Sequence, residues 1–518
     1  MKARNEIYRD IYERIRCSEK DWRKITAVKT KLKDLVDGAF GDDHSYGGIK
    51  FIGSTETGNS LKWIRDVDCV LPLTPYDSCN FTERLNSLEG ELEGISFRRA
   101  LKAARDICSC SLMGEKIGII GVEGGKNPQE DLESDILYHP DFVRERLKPE
   151  QRMDVVLAKT FFRVLGIPKK HIGCGFTLEQ LIDRFGSFDG LLEEFSKGAP
   201  IYLDNSGNFR GEAGPLTVTY PYSGLANLSA RFTNEDLRMA AEYSAIVLED
   251  PLKFLEDAVS GYNVFMWNQR AETLGDDEQY SSPDIFLTKR ENRKMNRLLK
   301  KLKPNSVVDF GCANGFSTLE MNRGLDGRVI GIDSAKKAIE YANKIAASVG
   351  RPDVQFIHDD MTDTKIPDGS QEVVIMKRSL GNIPSRRLQK QTLEEAHRIL
   401  VPSGRLYIYD SFQEPYEELS RLREKFGVPP LRQPNHTYLL GQQGLMEMAN
   451  PLFRLDKVQD DTSTYHLITR VAYPVVMNFF GRDLERLEFA SGLHRVASHL
   501  PSIGNYGASK LYTLRKNG

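Results

Sequence analysis

Two groups of acidic residues, each close to a glycine turn, have the types and spacing to do chemistry. In the N-terminal half, Gly53-Ser54 follows Lys50-Phe51-Ile52, and Asp66-Val67-Asp68 opens the next apolar run. Residues i and i+2 of a strand face the same side, so Asp66 and Asp68 would project together as candidate catalytic metal ligands. A carboxylate pair of this kind holds Mg²⁺ ions, which clamp an attacking hydroxyl and a triphosphate for in-line displacement. The Gly53-Ser54 turn offers backbone N–H groups and a hydroxyl to the terminal phosphates of a nucleotide.

In the C-terminal half, Asp309-Phe310-Gly311-Cys312-Ala313-Asn314-Gly315 lies where a buried strand turns into a helix. Glycines there let the backbone approach a ligand closely. The next strand ends on Asp333, a carboxylate suited to the vicinal hydroxyls of a ribose. The third strand ends in Asp359-Asp360-Met361, where Asp360 can take an adenine amino group while Met361 packs on the ring. After the fourth strand comes Lys377-Arg378-Ser379-Leu380-Gly381-Asn382-Ile383-Pro384-Ser385. Acceptor chemistry sits at this point of a doubly wound sheet. Lys377 and Arg378 are candidates to bind an anionic group there; the alternative is a solvated loop with Asn382 capping a turn. Tyr262 and Trp267 are positioned either to close over a cofactor or simply to pack, and His397 reads as structural.

These residues need a scaffold, and the chain predicts one. Strictly alternating β and α patterns from SVVDFG to RLYIYD imply a doubly wound, Rossmann-like parallel sheet across residues 282–518. Residues 1–148 mix helix and strand, and 149–281 follow mostly helical periods. The expected fold class is therefore a multidomain α/β protein. Its parts are an N-terminal α+β domain, a helical middle domain and a C-terminal Rossmann-like domain. The polar stretch GDDEQYSSPD near residues 275–284 reads as a boundary, lid or linker.

Asp309, Gly311 and Gly315, then Asp333, Asp360 and the segment His397–Gly404, resemble class I S-adenosylmethionine (SAM) dependent methyltransferases. The resemblance implies SAM as cofactor. Ala313 replaces that motif's usual middle glycine, a change expected to be tolerated at negative φ. A nicotinamide-binding domain would prefer a glycine at the position of Thr318.

The Gly53-Ser54 and Asp66/Asp68 combination resembles polymerase-β-like nucleotidyltransferases. Within them it is most similar to archaeal-type (class I) CCA-adding enzymes, through Leu137–Phe142, Val155–Phe162 and Cys174–Ile182. That resemblance implies a nucleoside triphosphate substrate (ATP or CTP), Mg²⁺, and His139 and Lys159 reaching the triphosphate. It also calls for a third carboxylate on a neighbouring strand, for which Glu115 and Glu123 are the candidates. Pro168 stands where those enzymes carry a tyrosine, and their tRNA-gripping tail is replaced by the methyltransferase-like half.

The formal net charge is -2, which announces no polyanion partner, although Lys62, Arg65, Arg144, Arg146 and Lys148 could line a basic groove. The 7 cysteines form no Cys-x-x-Cys pair, so reduced cytosolic thiols are expected and not a zinc site. The charged N-terminus and the absence of a long apolar run argue against a signal peptide or membrane span and for a cytoplasmic location.

Three functions fit. The first is a bifunctional enzyme adding nucleotides to an RNA 3′ end and methylating it. The second is a bifunctional enzyme of small metabolites, with SRLREKFGVPPLRQPNHTYL capping the acceptor. The third is a methyltransferase with a non-catalytic nucleotide- or RNA-binding N-terminal domain.

Overall fold

The computed structural model describes residues 3–58, 60–61, 66–100, 105–124, 138–172, 175–224, 226–434, 436–482, 484 and 491–517. The chain folds into two compact units, Met1–Val259 and Ser260–Gly518. Segments 1–148 and 149–259 lie in the first, and 282–518 lies in the second. Among the described residues no helix is long and apolar enough to cross a membrane.

The first unit is built on the helix Glu19–Phe40. Ser18 and Asp21 cap its start reciprocally, and Ile25, Val28, Leu32, Val36 and Phe40 recur at helical spacing to form one buried stripe. This stripe packs on a five-stranded sheet of β1 (Lys50–Ile52), β2 (Val67–Leu73), β3 (Glu93–Ala100), β4 (Arg105–Leu112) and β5 (Glu115–Glu123). The strand order is β1-β2-β5-β4-β3, and only β2 and β5 pair in parallel. Val67, Cys69, Leu71 and Leu73 alternate toward the helix, whereas Val70 joins Ile52 and Val122 on the opposite face. The strand period of two therefore puts Asp68 on the face away from the helix.

The rest of this unit is mainly helical and encloses Phe161, Phe188, Phe195 and Phe254, all fully buried. Their rings meet edge-on or stacked, with Tyr8 edge-on to Phe188. Each such ring contributes roughly 1.5–3 kcal/mol through burial. A short parallel pair, β6 (Ile201–Leu203) and β7 (Leu216–Val218), completes it.

The second unit has the doubly wound sheet that the alternating pattern predicts. Its strands are β8 (Ser306–Phe310), β9 (Arg328–Asp333), β10 (Gln355–His358), β11 (Gln371–Lys377), β12 (Leu400–Ser411), β13 (Phe453–Gln459) and β14 (Ser509–Lys516). They run in the order β10-β9-β8-β11-β12-β14-β13, with β14 antiparallel to both neighbours. Both faces are covered, so the middles of the central strands are apolar. Val308, Phe310, Val374 and Met376 face one core, and Val307, Val373 and Ile375 face the other. The strand order reverses between β8 and β11, which opens a crevice beyond their C-terminal ends.

The polar stretch 275–284, expected as a boundary or linker, is folded onto this unit. Tyr280 is fully buried and its hydroxyl donates to the Trp267 carbonyl (2.9 Å). Arg270 holds the carbonyls of Gln279 and Tyr280. Asp284 caps the helix Ile285–Leu302, accepts from Tyr465 Oη (2.6 Å) and pairs with Arg470.

Beside Tyr465, His466 accepts the Ala508 N–H at Nδ1 (2.9 Å), and burial pushes its pKa down to about 3. An unfolded histidine titrates near ~6.5, so this contribution to stability is complete above that pH and is lost as pH falls toward 3. In His466→Asn the amide oxygen keeps an acceptor but takes up no proton. Thermal unfolding should therefore show wild type losing stability relative to the variant below pH ~6.5, by up to ~1.4 kcal/mol per pH unit. Parallel curves would contradict this origin.

Candidate functional sites

The glycine turn beyond β8 is a run of left-handed residues. Gly311, Ala313 and Gly315 have φ of 77°, 55° and 78°. Ala313 thus departs from the expected negative φ. Its conformation costs about 1–2 kcal/mol for an L-residue and is imposed by its neighbours. Asp333 Oδ2 accepts the Ala313 N–H (2.9 Å) while Oδ1 accepts the Ala335 N–H (2.8 Å). The N–H groups of Gly311 and Cys312 both donate to the Ile332 carbonyl. A β-carbon at Gly311 would lie 2.6 Å from Ser379 Cβ, and one at Gly315 would lie 2.6 Å from the Phe356 ring. Close approach as well as φ therefore requires glycine at both positions. Asp309 is buried beneath this turn, where Thr318 Oγ1 donates to it at 2.5 Å. Burial raises its pKa to about 6, against the pull of Thr318 and Lys377. Thr318, read from sequence as a missing glycine, is thus the partner of the motif's first acid.

Asp360 accepts both the N–H and the hydroxyl of Thr362 at 2.8 Å, forming a turn beyond β10. Met361 packs against the core below. Beyond β11 the structure corrects the expected anion-binding role of Lys377 and Arg378. Glu291, fully buried on the helix Ile285–Leu302, lies 2.9 Å from Arg378 Nη2 and 3.6 Å from Lys377 Nζ. Glu291 thus engages both cations with one carboxylate. Burial also lowers the Lys377 pKa to about 8.

The Ser379–Ser385 loop is buried apart from half-buried Asn382, contrary to the solvated alternative. Gln389 Nε2 donates to the carbonyls of Leu380, Ile383 and Tyr438, and Asp410 accepts the Gly381 N–H (2.9 Å). Asn263 Nδ2 donates to the carbonyls of Asn382 (2.9 Å) and His436 (3.4 Å), and Tyr438 N–H donates to the Gly381 carbonyl. Trp267 meets the His436 ring edge-on and packs in a cluster with Tyr280, Ala313 and Ala335. It therefore braces the cofactor turn from outside. Among the described residues, Ser379 Oγ, Asn263 Oδ1 and Tyr409 Oη are buried without hydrogen-bond partners. Neither Asn263 nor Glu291 stands out in the sequence, because each lies on a helical face with no local motif.

In the first unit, a β-carbon at Gly53 (φ 72°) would lie 3.2 Å from Asp68 Oδ2, so the Gly53-Ser54 turn sits against Asp68. Ser60 Oγ donates to Ser54 Oγ (3.0 Å). Asp66, just before β2, lies 3.9 Å from Lys169 Nζ. Burial raises the Asp68 pKa, with Lys169 and His139 acting the other way. His139 is buried, its Nε2 2.5 Å from Glu179 Oε2 and its ring 4.2 Å from that of Phe176. Thr57 Oγ1 donates to the other Glu179 oxygen (3.1 Å). Lys159 ends beside Gly175. The structure thus gathers Gly53, Ser54, Asp66, Asp68 and His139. It adds Lys169 and Glu179, which sequence reasoning missed.

The third carboxylate is a correction. Glu115 begins β5 and pairs with Lys24 (2.7 Å), whereas Glu123 ends it and accepts the Tyr76 N–H (2.9 Å). The residue across from Asp68 is Gly118. At ~3.3 Å per residue both glutamates are about 10 Å or more away along the strand. Arg144 pairs with Asp141 and Glu56, and Arg146 pairs with Asp183 while lining a concavity with Arg9 and Lys148. Lys62, Arg65, Leu137 and Cys174 lie outside the described residues.

Comparison with known proteins follows this division. Residues 307–404 match the family model described as "Methyltransferase domain". The N-terminal region matches CCA-adding enzymes. That of Pyrobaculum islandicum is 25% identical over 240 residues, covering 44% of this chain and 57% of that enzyme. The chain thus spans little more than half the length of the CCA-adding enzymes it matches. O-methyltransferase rstn1 of Aspergillus nomiae is 26% identical over 183 residues, covering 34% of this chain and 76% of that protein. A solved protein of Pyrococcus horikoshii, PH0226, aligns over 45% of this chain and 92% of its own, at 19% identity and TM-score 0.31. The chain therefore carries a methyltransferase domain and a region homologous to nucleotidyltransferases.

The Gly311–Ser379 contact gives a direct check. Gly311→Ala should weaken SAM binding at least tenfold by calorimetry while the unfolding transition persists. Unchanged affinity would place the cofactor elsewhere.

Proposed function

We propose that the C-terminal unit transfers the methyl group of SAM to a small polar molecule enclosed beneath residues 436–438, and that the N-terminal unit holds a nucleoside triphosphate. The observation that carries the first part is the burial of Ser379–Ser385, roofed by Asn263, His436 and Tyr438. A buried loop that excludes water suits a small polar acceptor.

SAM supplies an electrophilic methyl group. The residues fit it. Gly311 and Gly315 leave the space that side chains would fill; Asp333 ends β9 and Asp360 lies two residues beyond β10, where ribose and adenine groups would lie. Met361 would flank the adenine from the core, and Lys377, near Glu291, ends β11 at the same crevice. Ser379 Oγ and Asn263 Oδ1 are left to orient the acceptor by hydrogen bonds.

In the N-terminal unit, Gly53 and Ser54 would meet the terminal phosphates, with His139 and Lys159 as cationic or hydrogen-bonding partners. Asp66 and Asp68 would hold Mg²⁺ carried by ATP or CTP. Likeness to CCA-adding enzymes favours a second reading, in which an RNA 3′ end accepts the nucleotide and is then methylated.

Methyl-labelled SAM supplied with a small-molecule extract and with short RNA separates the two readings. Label should enter the low-molecular-weight fraction; label confined to RNA would favour the second. With the acceptor so identified, Asn263→Ala should lower kcat/KM at least tenfold, the loss of about 1.4 kcal/mol of buried hydrogen bonding. SAM affinity should change less than threefold. An equal loss in SAM affinity would make Asn263 a cofactor residue instead.

A further inference from the structure

We propose that the N-terminal unit keeps its nucleoside triphosphate as a bound ligand and does not consume it, because Gly118 occupies the position from which a third metal-binding carboxylate would have to come. The inference rests on the reading that this unit binds a nucleoside triphosphate at the Gly53-Ser54 turn.

β2 and β5 are parallel neighbours, and Asp68 is paired with Gly118. Paired residues on adjacent strands face the same side, so a side chain at 118 would stand beside the Asp68 carboxylate. No side chain stands there, and the Asp68 carboxylate occupies the space. A β-carbon at Gly118 would lie only 2.5 Å from Asp68 Oδ1. The next residues of β5 on that face are Lys116 and Ile120, a cation and an alkyl chain. Lys169 Nζ lies 3.9 Å from Asp66 Oδ2. Among the described residues no three acidic, histidine or cysteine side chains are grouped to hold a metal ion.

Two carboxylates suffice to hold one divalent ion that arrives with a triphosphate. In-line transfer asks for more. A second ion must bind the attacking hydroxyl, so that its oxygen forms a bond to the α-phosphorus while the bond to the bridging oxygen breaks and pyrophosphate departs. That ion needs ligands shared across the site, and the structure sets Lys169 beside Asp66 instead. An ammonium group beside the carboxylates opposes a second cation. The outcome is a site that grips the triphosphate and leaves it intact.

The test uses the full-length chain with ATP and CTP in Mg²⁺. Calorimetry should show saturable binding of at least one of them, and the triphosphate should be recovered intact after incubation with short RNA and with the small-molecule extract. Gly118→Asp should raise the affinity for Mn²⁺, used as the probe ion, at least tenfold over wild type. Pyrophosphate release by wild type that Asp66→Ala plus Asp68→Ala abolishes would overturn the proposal and leave the nucleotide reading standing. Failure of wild type to bind either nucleotide would overturn both. Should the aspartate crowd Asp68 enough to unfold the chain, the wild-type release assay decides alone.

Discussion

The carboxylate of Asp333 bridges two backbone N–H groups, those of Ala313 and Ala335, and the C-terminal site depends on that bridge. Hydrogen bonds to a buried charged acceptor are worth ~1.5–3 kcal/mol each, enough to hold Ala313 left-handed against a cost of about 1–2 kcal/mol. With Ala313 so turned, the Asn314 side chain reaches inward and donates to the carbonyls of Gly275 and Asp277 (3.2 and 3.1 Å). That ties down a stretch whose composition reads as a linker. The same geometry brings Gly311 under Ser379, so the cofactor turn and the acceptor loop share one close contact.

Buried charge is the second constraint. Glu291 lies at full burial between Lys377 and Arg378, and Asp309 lies beneath the glycine turn with Thr318 as donor. Removing one member of such a group leaves an uncompensated charge in a poor solvent, which fixes the ends of β8 and β11 relative to each other. The loop beyond β11 begins from this buried base, and Ser379 Oγ within it has no hydrogen-bond partner among the described residues.

Much of this was legible in the residues. The alternating patterns gave the doubly wound sheet because each buried parallel strand is a short apolar run, and the Asp309–Gly315 turn with Asp333 marked its crevice. The expectation for Ala313 failed because φ there is set by a carboxylate twenty residues away and not by the alanine itself. Glu115 and Glu123 were proposed as metal ligands because they are the acids within a recognisable strand; only the non-local register of β2 against β5 shows that Gly118 faces Asp68. The pairing of Lys377 and Arg378 with Glu291 was hidden for the same reason, since the helix and the strand end meet only in the folded unit.

The central claim is that the Asp333 bridge shapes a SAM site, and calorimetric titration of SAM into the full chain tests it directly. The account predicts one site per chain, weakened at least tenfold by Asp333→Ala through loss of two charge-assisted hydrogen bonds worth about 1.5–3 kcal/mol each. Equal affinity in wild type and a folded Asp333→Ala variant would contradict it.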